Sequence, residues 1–359
     1  MPRLHFQFSK QACRLISWFA CFFLCSAVTA QTQSTPPSTQ KQIPDFEERA
    51  ADSISRMGSI KDNGLSESSG LTSAAVADAF WTINDSGHPS ELFLFGNSGQ
   101  KLAQVKLNSA RNKDWESLAS FTFSGQRWGL VADVGDNLRR RDAYQLYFFR
   151  DPTDLKTPPK SLNEFEKLKS VRALPIDFAY QDEQSGKAVA IKQDCEAVAV
   201  DPTTLDIWFV EKVHLQRDRE VIPGVYVLPM PKPQLTKHAP KQFTVENLVD
   251  EPPVKAVAKR VGSFPIRFVS GMSFSPDGKK LIIRNYLTAH LYIRPDDKTW
   301  KQTIFDQKPL TVALPLQSQG EAICFASDSQ HVILTSEGIR QPIWKIDLQV
   351  YFEKFKAMQ

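Results

Sequence analysis

Three glutamates in this 359-residue chain share one sequence context that could support chemistry. Glu116, Glu196 and Glu321 each precede a small residue and then an aliphatic one. Grouped carboxylates bind hard cations such as Ca²⁺, which takes about 6–8 oxygen ligands, or act as general acids and bases. Because the three contexts are alike, we expect the glutamates to come from a repeat that places them at equivalent positions.

The same motif occurs five times, with serine in place of glutamate in two copies. The copies are Ser69-Gly70-Leu71, Glu116-Ser117-Leu118, Glu196-Ala197-Val198, Ser270-Gly271-Met272 and Glu321-Ala322-Ile323. A second polar residue follows 15 or 17 positions later in each copy: Asn84, Asp133, Glu211, Asn285 and Ser336. A shared pattern at a fixed period is the signature of a repeat architecture.

Each repeat is predicted to form four short strands, rich in aromatic and β-branched residues and separated by turn residues such as Ser275-Pro-Asp-Gly278. The fold class is therefore all-β, and the architecture a five-bladed β-propeller. The fifth repeat lacks its last strand, and residues 56–60 are predicted to supply it and close the ring. Six blades remain an alternative, because the third repeat is long and residues 242–249 could add a strand. Residues 170–178 are predicted as the fourth strand of the second repeat.

The start of strand one and the end of strand two lie at the same end of a propeller channel, so both polar sets should meet at one mouth. The predicted metal ligands are Glu116, Glu196, Glu321, Asn84 and Asn285, and the predicted general base is Asp85 or Asp136. The predicted ligand-binding residues are Glu67, Asn84, Asp114, Asp133, Asn137, Arg139, Lys212, Arg284 and Glu337. In an alternative role, the acids accept backbone N–H bonds and hold the blades in register.

The sequence lacks the motifs of several other kinds of catalytic or binding site. His88, His214 and His331 are scattered, and no Cys/His group has the spacing of a zinc site. The sequence contains no Gly-x-Ser-x-Gly nucleophile elbow and no phosphate-binding loop. Calcium is therefore the expected cofactor, if one is bound.

The N-terminus predicts export. Residues 1–30 combine a basic start, an apolar run and small residues before Gln31, the features of a cleaved signal peptide. Residues 31–46 are predicted to form a disordered Ser/Thr/Pro/Gln-rich tether, followed by a helical stretch near 47–55 within a single domain, 47–359. Cleavage removes three basic residues and no acid, which lowers the net charge from +4 to about +1.

These features set the expected location and partners. The mature protein is expected to be extracytoplasmic (periplasmic or secreted) and monomeric, with no membrane span. Its near-neutral charge gives no basis for binding nucleic acid, so the expected partner is a small molecule, glycan or protein at the mouth. Only Cys195 and Cys324 lie beyond residue 30, and we expect two buried thiols rather than a disulfide.

The joint motif pattern resembles a family of secreted bacterial β-propeller proteins. The resemblance covers residues 65–346 and rests on these segments: Glu67-Ser-Ser-Gly-Leu71, Asn84-Asp-Ser-Gly87, Asp114-Trp-Glu116, Gly135-Asp-Asn137, Asp194-Cys-Glu-Ala197, Gly271, Asp277-Gly278, Gln319-Gly-Glu-Ala322 and Thr335-Ser-Glu-Gly338. That family is similar in style to gluconolactonases, paraoxonases and SdiA-regulated proteins. The resemblance implies a metal held in the channel by inner-strand acids, although this chain lacks the histidine of paraoxonases.

Three functions follow as hypotheses. The first is a ligand- or calcium-binding propeller with an acidic mouth. The second is a metal-dependent hydrolase of lactones, esters or phosphoesters, and the third is a glycoside hydrolase that uses two mouth carboxylates.

Overall fold

The computed structural model describes residues 45–154, 162–213, 221–237 and 256–358. The predicted signal peptide, most of the tether, His214 and the extra strand candidate at 242–249 lie outside these ranges. Within them the chain is mostly β-strand. No helix in the described ranges is long and apolar enough to cross a bilayer.

The strands are β1 (Ile54–Ser59), β2 (Ser68–Ser73), β3 (Ala79–Asn84), β4 (Glu91–Gly96), β5 (Lys101–Asn108), β6 (Trp115–Phe123), β7 (Gln126–Asp133), β8 (Tyr144–Arg150), β9 (Ser170–Arg172), β10 (Leu174–Gln184), β11 (Lys187–Ile191), β12 (Cys195–Val200), β13 (Ile207–Glu211), β14 (Gly224–Leu228), β15 (Ala256–Ser263), β16 (Gly271–Phe274), β17 (Lys280–Arg284), β18 (Thr288–Ile293), β19 (Leu310–Ala313), β20 (Ile323–Phe325), β21 (His331–Leu334) and β22 (Pro342–Asp347). The helices are α1 (Phe46–Asp52), α2 (Lys232–Lys237), α3 (Trp300–Asp306), α4 (Gln349–Ala357) and a 3₁₀ helix at Leu162–Lys167.

Successive strands pair as four-stranded antiparallel meanders, which we number along the chain. Meander 1 is β2–β5, and meander 2 is β6–β8 with β10. Meander 3 is β12–β15, meander 4 is β16–β19, and meander 5 is β20–β22 with β1. This arrangement is consistent with an all-β propeller, in which the first strand of each meander lines the centre.

The segment predicted as one strand at 170–178 is divided between two sheets. β9 pairs in parallel with β5 of meander 1, whereas β10 pairs with β8 of meander 2. β10 also pairs in parallel with β15, so that meanders 2 and 3 form one nine-stranded sheet that includes β11. The prediction of a single strand was wrong, because both outer edges offer unpaired backbone groups that this long connection can satisfy.

The N-terminal strand completes the last meander. β1 pairs antiparallel with β22, with Ile54 opposite Ile346 and Ser59 opposite Pro342. The predicted closing segment, 56–60, overlaps this strand. The helix predicted near 47–55 is α1, which Asp45 caps by accepting a hydrogen bond from the Glu48 backbone N–H at 2.9 Å.

The apolar core lies between neighbouring meanders. Trp81 of β3 and Trp115 of β6 are buried in one cluster, packed between meanders 1 and 2. Near the centre the strands come so close that a Cβ on Gly70 would overlap the Leu118 backbone nitrogen. This crowding explains why small residues follow the motif acids. Cys195 and Cys324 are buried free thiols, as predicted.

Candidate functional site

The first residue of the motif sits in a β-bulge in three of the five meanders. The register between the first two strands shifts at Ser69, at Glu116 and at Glu196. A bulge adds one residue to one strand and re-aims its side chain. The recurring motif is therefore a local backbone device that turns glutamate side chains away from the regular ladder.

Motif glutamates from meanders 2, 3 and 5 meet at this end of the inner strands. Carboxylate oxygens of Glu116, Glu196 and Glu321 all lie within 4.8 Å of one another, and the three residues are no more than 4% exposed. Asp85 and Asp114 form a second such group with Glu116. We call these five residues the acidic cluster. A Cβ at Gly135 would overlap the carboxylates of Glu116 and Asp114, so only glycine lets the backbone lie against them.

One ammonium group is bound inside the cluster. The Lys212 Nζ donates to Glu196 Oε1 and lies 5.5 Å from the centre of the Tyr286 ring. The Tyr286 hydroxyl in turn donates to Glu321 Oε1 at 3.2 Å. Although burial alone would lower it, the pKa of Lys212 is raised by the neighbouring acids, Glu196 foremost. Lys212 is thus a fixed positive charge facing several carboxylates.

Burial and mutual repulsion raise the carboxyl pKa values. The pKa of Glu116 is well above its usual range because of burial and the charge of Glu196, and burial likewise raises the pKa of Glu196. Burial raises the pKa of Asp85 to about 6, with Asp114 and Glu321 adding to the shift. These carboxyls must therefore bind protons or meet further positive charge at neutral pH.

Two further acids lie beside the cluster. Burial and the carboxyl of Glu321 raise the pKa of Glu337 to about 9. Glu67 forms a backbone bridge with Glu337 and binds His88 Nε2 through its carboxylate at 3.1 Å. The structure therefore brings the predicted residues Glu67, Asp114 and Glu337 to the same end of the inner strands as the cluster.

In the first three repeats, the second polar residue accepts hydrogen bonds from backbone N–H groups. Asn84 Oδ1 accepts from the N–H groups of Ser66 and Glu67 at 3.1 and 3.0 Å. Asp133 likewise accepts from two N–H groups that precede β6, and Glu211 accepts from the Gly224 N–H at 3.0 Å. Two backbone donors thus occupy the Asn84 oxygen, and the metal-ligand role of Asn84 stays a prediction.

Local donors also hold two other predicted site residues. Asn285 Oδ1 accepts from the N–H groups of Leu287 and Thr288, both at 2.9 Å, and so caps the turn after β17. The Asp136 carboxylate accepts from two backbone N–H groups and from the Tyr144 hydroxyl. These donors fix the carboxylate in the loop after β7, and the general-base role of Asp136 stays a prediction.

The basic residues at this end also have defined partners. Arg139 donates to Glu211 at 2.8 Å, whereas Asn137 on the same loop is exposed. Arg284 is fully buried and donates to Gln317 Oε1 and the Ala322 carbonyl, and burial lowers its pKa to about 10. Both arginines thus support the walls of the site.

Two residues that the motifs do not include also belong to this end. Arg141 is buried and forms an ion pair with Asp133 at 2.7 Å. Tyr286 links Lys212 to Glu321. No sequence signal marks either residue, because each acts through contacts between different meanders.

Comparisons with known proteins give little support to the fold and do not assign the chain to a family. No protein-family model matches the chain, and no curated protein matches it. Hydrazine synthase of Kuenenia stuttgartiensis is similar in structure at 8% identity and a TM-score of 0.39, covering 79% of this chain and 72% of that one. A gluconolactonase of Xanthomonas campestris has 11% identity and a TM-score of 0.39, covering 82% and 88%. At such low identities and TM-scores, the activities of these two proteins cannot be assigned to this chain.

Proposed function

We propose that this chain is an extracytoplasmic β-propeller whose acidic cluster binds a calcium ion. The five meanders would be its five blades, with β1 as the closing strand. The observation that carries the proposal is the meeting of Glu116, Glu196 and Glu321, buried on three different meanders with oxygens within 4.8 Å.

The chemistry of the donors favours calcium over softer metals. The two candidate groups among the described residues contain carboxylates alone, with no histidine or cysteine, and carboxylate oxygen suits Ca²⁺ and Mg²⁺ rather than Zn²⁺. Lys212 neutralises the charge of one carboxylate, Glu196. The negative charge of the other carboxylates must be neutralised by a cation or by protons. Mutually repelling buried carboxylates are stabilised by a divalent cation.

The location and ligand follow from the sequence and from the surroundings of the cluster. The basic start, apolar run and small residues of 1–30 support export. Asp114 of the cluster, and Glu67 and Glu337 beside it, are only partly buried, so they would contact a small molecule, glycan or protein at the mouth. We propose that the protein acts as a monomer.

A specific observation favours hydrolysis as a second candidate function. Asp85 is half-buried, belongs to the cluster and has a pKa raised to about 6. A carboxylate with a pKa near the working pH is suited to act as a general base. Calcium in the cluster would supply Lewis-acid polarisation of a lactone, ester or phosphoester oxygen, and Asp85 would accept the proton of the attacking water.

The first experiment is metal analysis of the purified mature protein, with melting curves in calcium and in chelator. We expect stoichiometric calcium and a lower melting temperature in chelator. Glu196→Gln should weaken calcium binding by about tenfold or more, equivalent to about 1.4 kcal/mol. The matched control is Glu183→Gln on the exposed part of β10, which should bind calcium like the wild type.

Two results would contradict the calcium site: metal-free protein that does not respond to added calcium, or equal calcium affinity in both variants. If calcium binds, hydrolysis of lactones, esters and phosphoesters can be assayed with Asp85→Asn. Loss of turnover with calcium affinity retained would support Asp85 as the base. Turnover equal to that of the wild type would exclude this role.

A further inference from the structure

A chamber lies at the opposite end of the inner strands from the acidic cluster. It has a volume of about 240 Å³ and is formed where β2, β6, β12, β16 and β20 end. Six residues with hydroxyl groups line it, together with one arginine: Thr72, Ser73, Ser120, Thr122, Ser273, Ser275 and Arg127. The two ends of one channel thus differ in chemistry.

Arg127 is the one charged side chain among the described residues that line this chamber. Its Nη2 donates to Ser120 Oγ at 2.6 Å and to Ser73 Oγ at 2.9 Å, which fixes the guanidinium between meanders 1 and 2. Its Nε is buried and has no hydrogen-bond partner. None of the described ion pairs includes Arg127.

The carboxylates near Arg127 accept hydrogen bonds from groups other than its guanidinium. Asp151 accepts from Trp81 Nε1 at 3.0 Å and from the Ala75 N–H at 2.8 Å, and Asp154 accepts from the backbone N–H of Arg127 at 2.6 Å. Burial still lowers the pKa of Arg127 despite the opposing effect of these acids. The guanidinium is therefore a partly buried cation without a direct counter-ion.

We propose that this chamber binds a small oxyanion, a carboxylate or phosphate group, on the guanidinium of Arg127. A guanidinium is always charged and donates strong hydrogen bonds to such a group, and nearby serine and threonine hydroxyls can add donors. A water takes about 30 Å³ in the liquid, so a chamber of this volume accommodates an anion of a few heavy atoms. This inference is independent of the calcium site.

The test is titration calorimetry of the mature protein with inorganic phosphate and with acetate, at constant ionic strength set by sodium chloride. We expect wild-type protein to bind at least one of the two anions, and Arg127→Gln to bind it about tenfold more weakly or not at all, a loss of about 1.4 kcal/mol or more. The control is Arg140→Gln, an exposed arginine near the acidic end, which should bind like the wild type.

A second variant keeps the proposal testable if Arg127→Gln does not fold. Ser120→Ala leaves the guanidinium in place but removes one of its fixing contacts, and should weaken anion binding while circular dichroism shows the native fold. Absence of heat with either anion in wild-type protein would overturn the proposal. So would equal affinity in folded Arg127→Gln and Arg140→Gln. Binding of acetate or of phosphate alone would identify which oxyanion the chamber accepts.

Discussion

In the second and third repeats, the first polar residue belongs to the acidic cluster and the second holds the backbone. The motif glutamates, Glu116 and Glu196, sit in bulges and reach the acidic cluster. Their partners at the end of the second strand, Asp133 and Glu211, accept hydrogen bonds from the backbone. Residue type alone does not distinguish these roles, because both sets are buried acids and only backbone geometry separates them.

Protonation of the cluster predicts an unusual pH dependence. The pKa of Glu116 is raised above its ordinary value of 4.5, so above that pH the metal-free folded state holds more protons than the unfolded chain. The free energy of unfolding in chelator should therefore fall as pH rises above about 4.5. Glu116→Gln stays neutral, so it should melt above the wild type at pH about 8 and lose that advantage near pH 4.5. Melting curves in chelator across this range measure both effects.

Glu183→Gln serves as the control, since Glu183 is exposed and lies away from the cluster residues in sequence. It should follow the wild-type curve at every pH. A melting temperature of the wild type that is flat or rises with pH would show that the cluster carboxyls are ionised in the metal-free protein.

Serine hydroxyls join the inner strands of neighbouring meanders. The Ser69 Oγ donates to the carbonyl of Glu116 at 2.8 Å, and the Ser117 Oγ donates to the carbonyl of Glu196 at 2.8 Å. The Ser270 Oγ donates to the carbonyl of Gly320, next to Glu321, at 2.9 Å. A serine of another meander thus holds the backbone of each motif glutamate in the cluster, either at the glutamate itself or at the residue before it.

Removal of one such hydroxyl should affect both stability and the cluster. Ser117 also accepts from the Val198 N–H at 3.0 Å and is 5% exposed, so Ser117→Ala leaves two buried backbone groups without their partner. We expect a loss of about 1–3 kcal/mol in the free energy of unfolding, measured by denaturant titration, together with weaker calcium binding.

Ser170→Ala on the exposed strand β9 is the control and should change stability by less than about 0.5 kcal/mol. Equal stability of Ser117→Ala and wild type would show that water or a neighbouring donor replaces the hydroxyl.

Across the molecule, β1 joins the two ends of the described chain. It pairs with β22 at five positions, and α1 next to it contacts α4. Without β1, the backbone groups of β22 that it pairs would face solvent, and an open edge of this kind promotes association between chains.

A chain that starts at Lys61 should therefore unfold at a lower temperature and aggregate. With about 1 kcal/mol for each backbone hydrogen bond lost, the decrease in stability should reach several kcal/mol. Thermal melts and size-exclusion chromatography measure this, with a chain that starts at Pro44 as the control that retains β1. Equal melting temperatures would show that β1 does not stabilise the fold.

The repeat, the closing segment and the clustering of the motif glutamates could be predicted from the sequence. Strand alternation, turn residues and the recurring motif are local patterns, and repetition places equivalent residues alike. Blade-like meanders and the meeting of Glu116, Glu196 and Glu321 follow from that regularity.

The structure alone supplied the side-chain partners and the irregular connections. Asparagine can bind calcium through its side-chain oxygen, but the side-chain oxygens of Asn84 and Asn285 accept hydrogen bonds from local backbone N–H groups. Arg141 with Asp133, and Lys212 with Glu196, depend on where loops place side chains after folding. The parallel pairing of β10 with β15 joins strands far apart in the chain. Contacts of this kind are long-range, so no local sequence pattern encodes them.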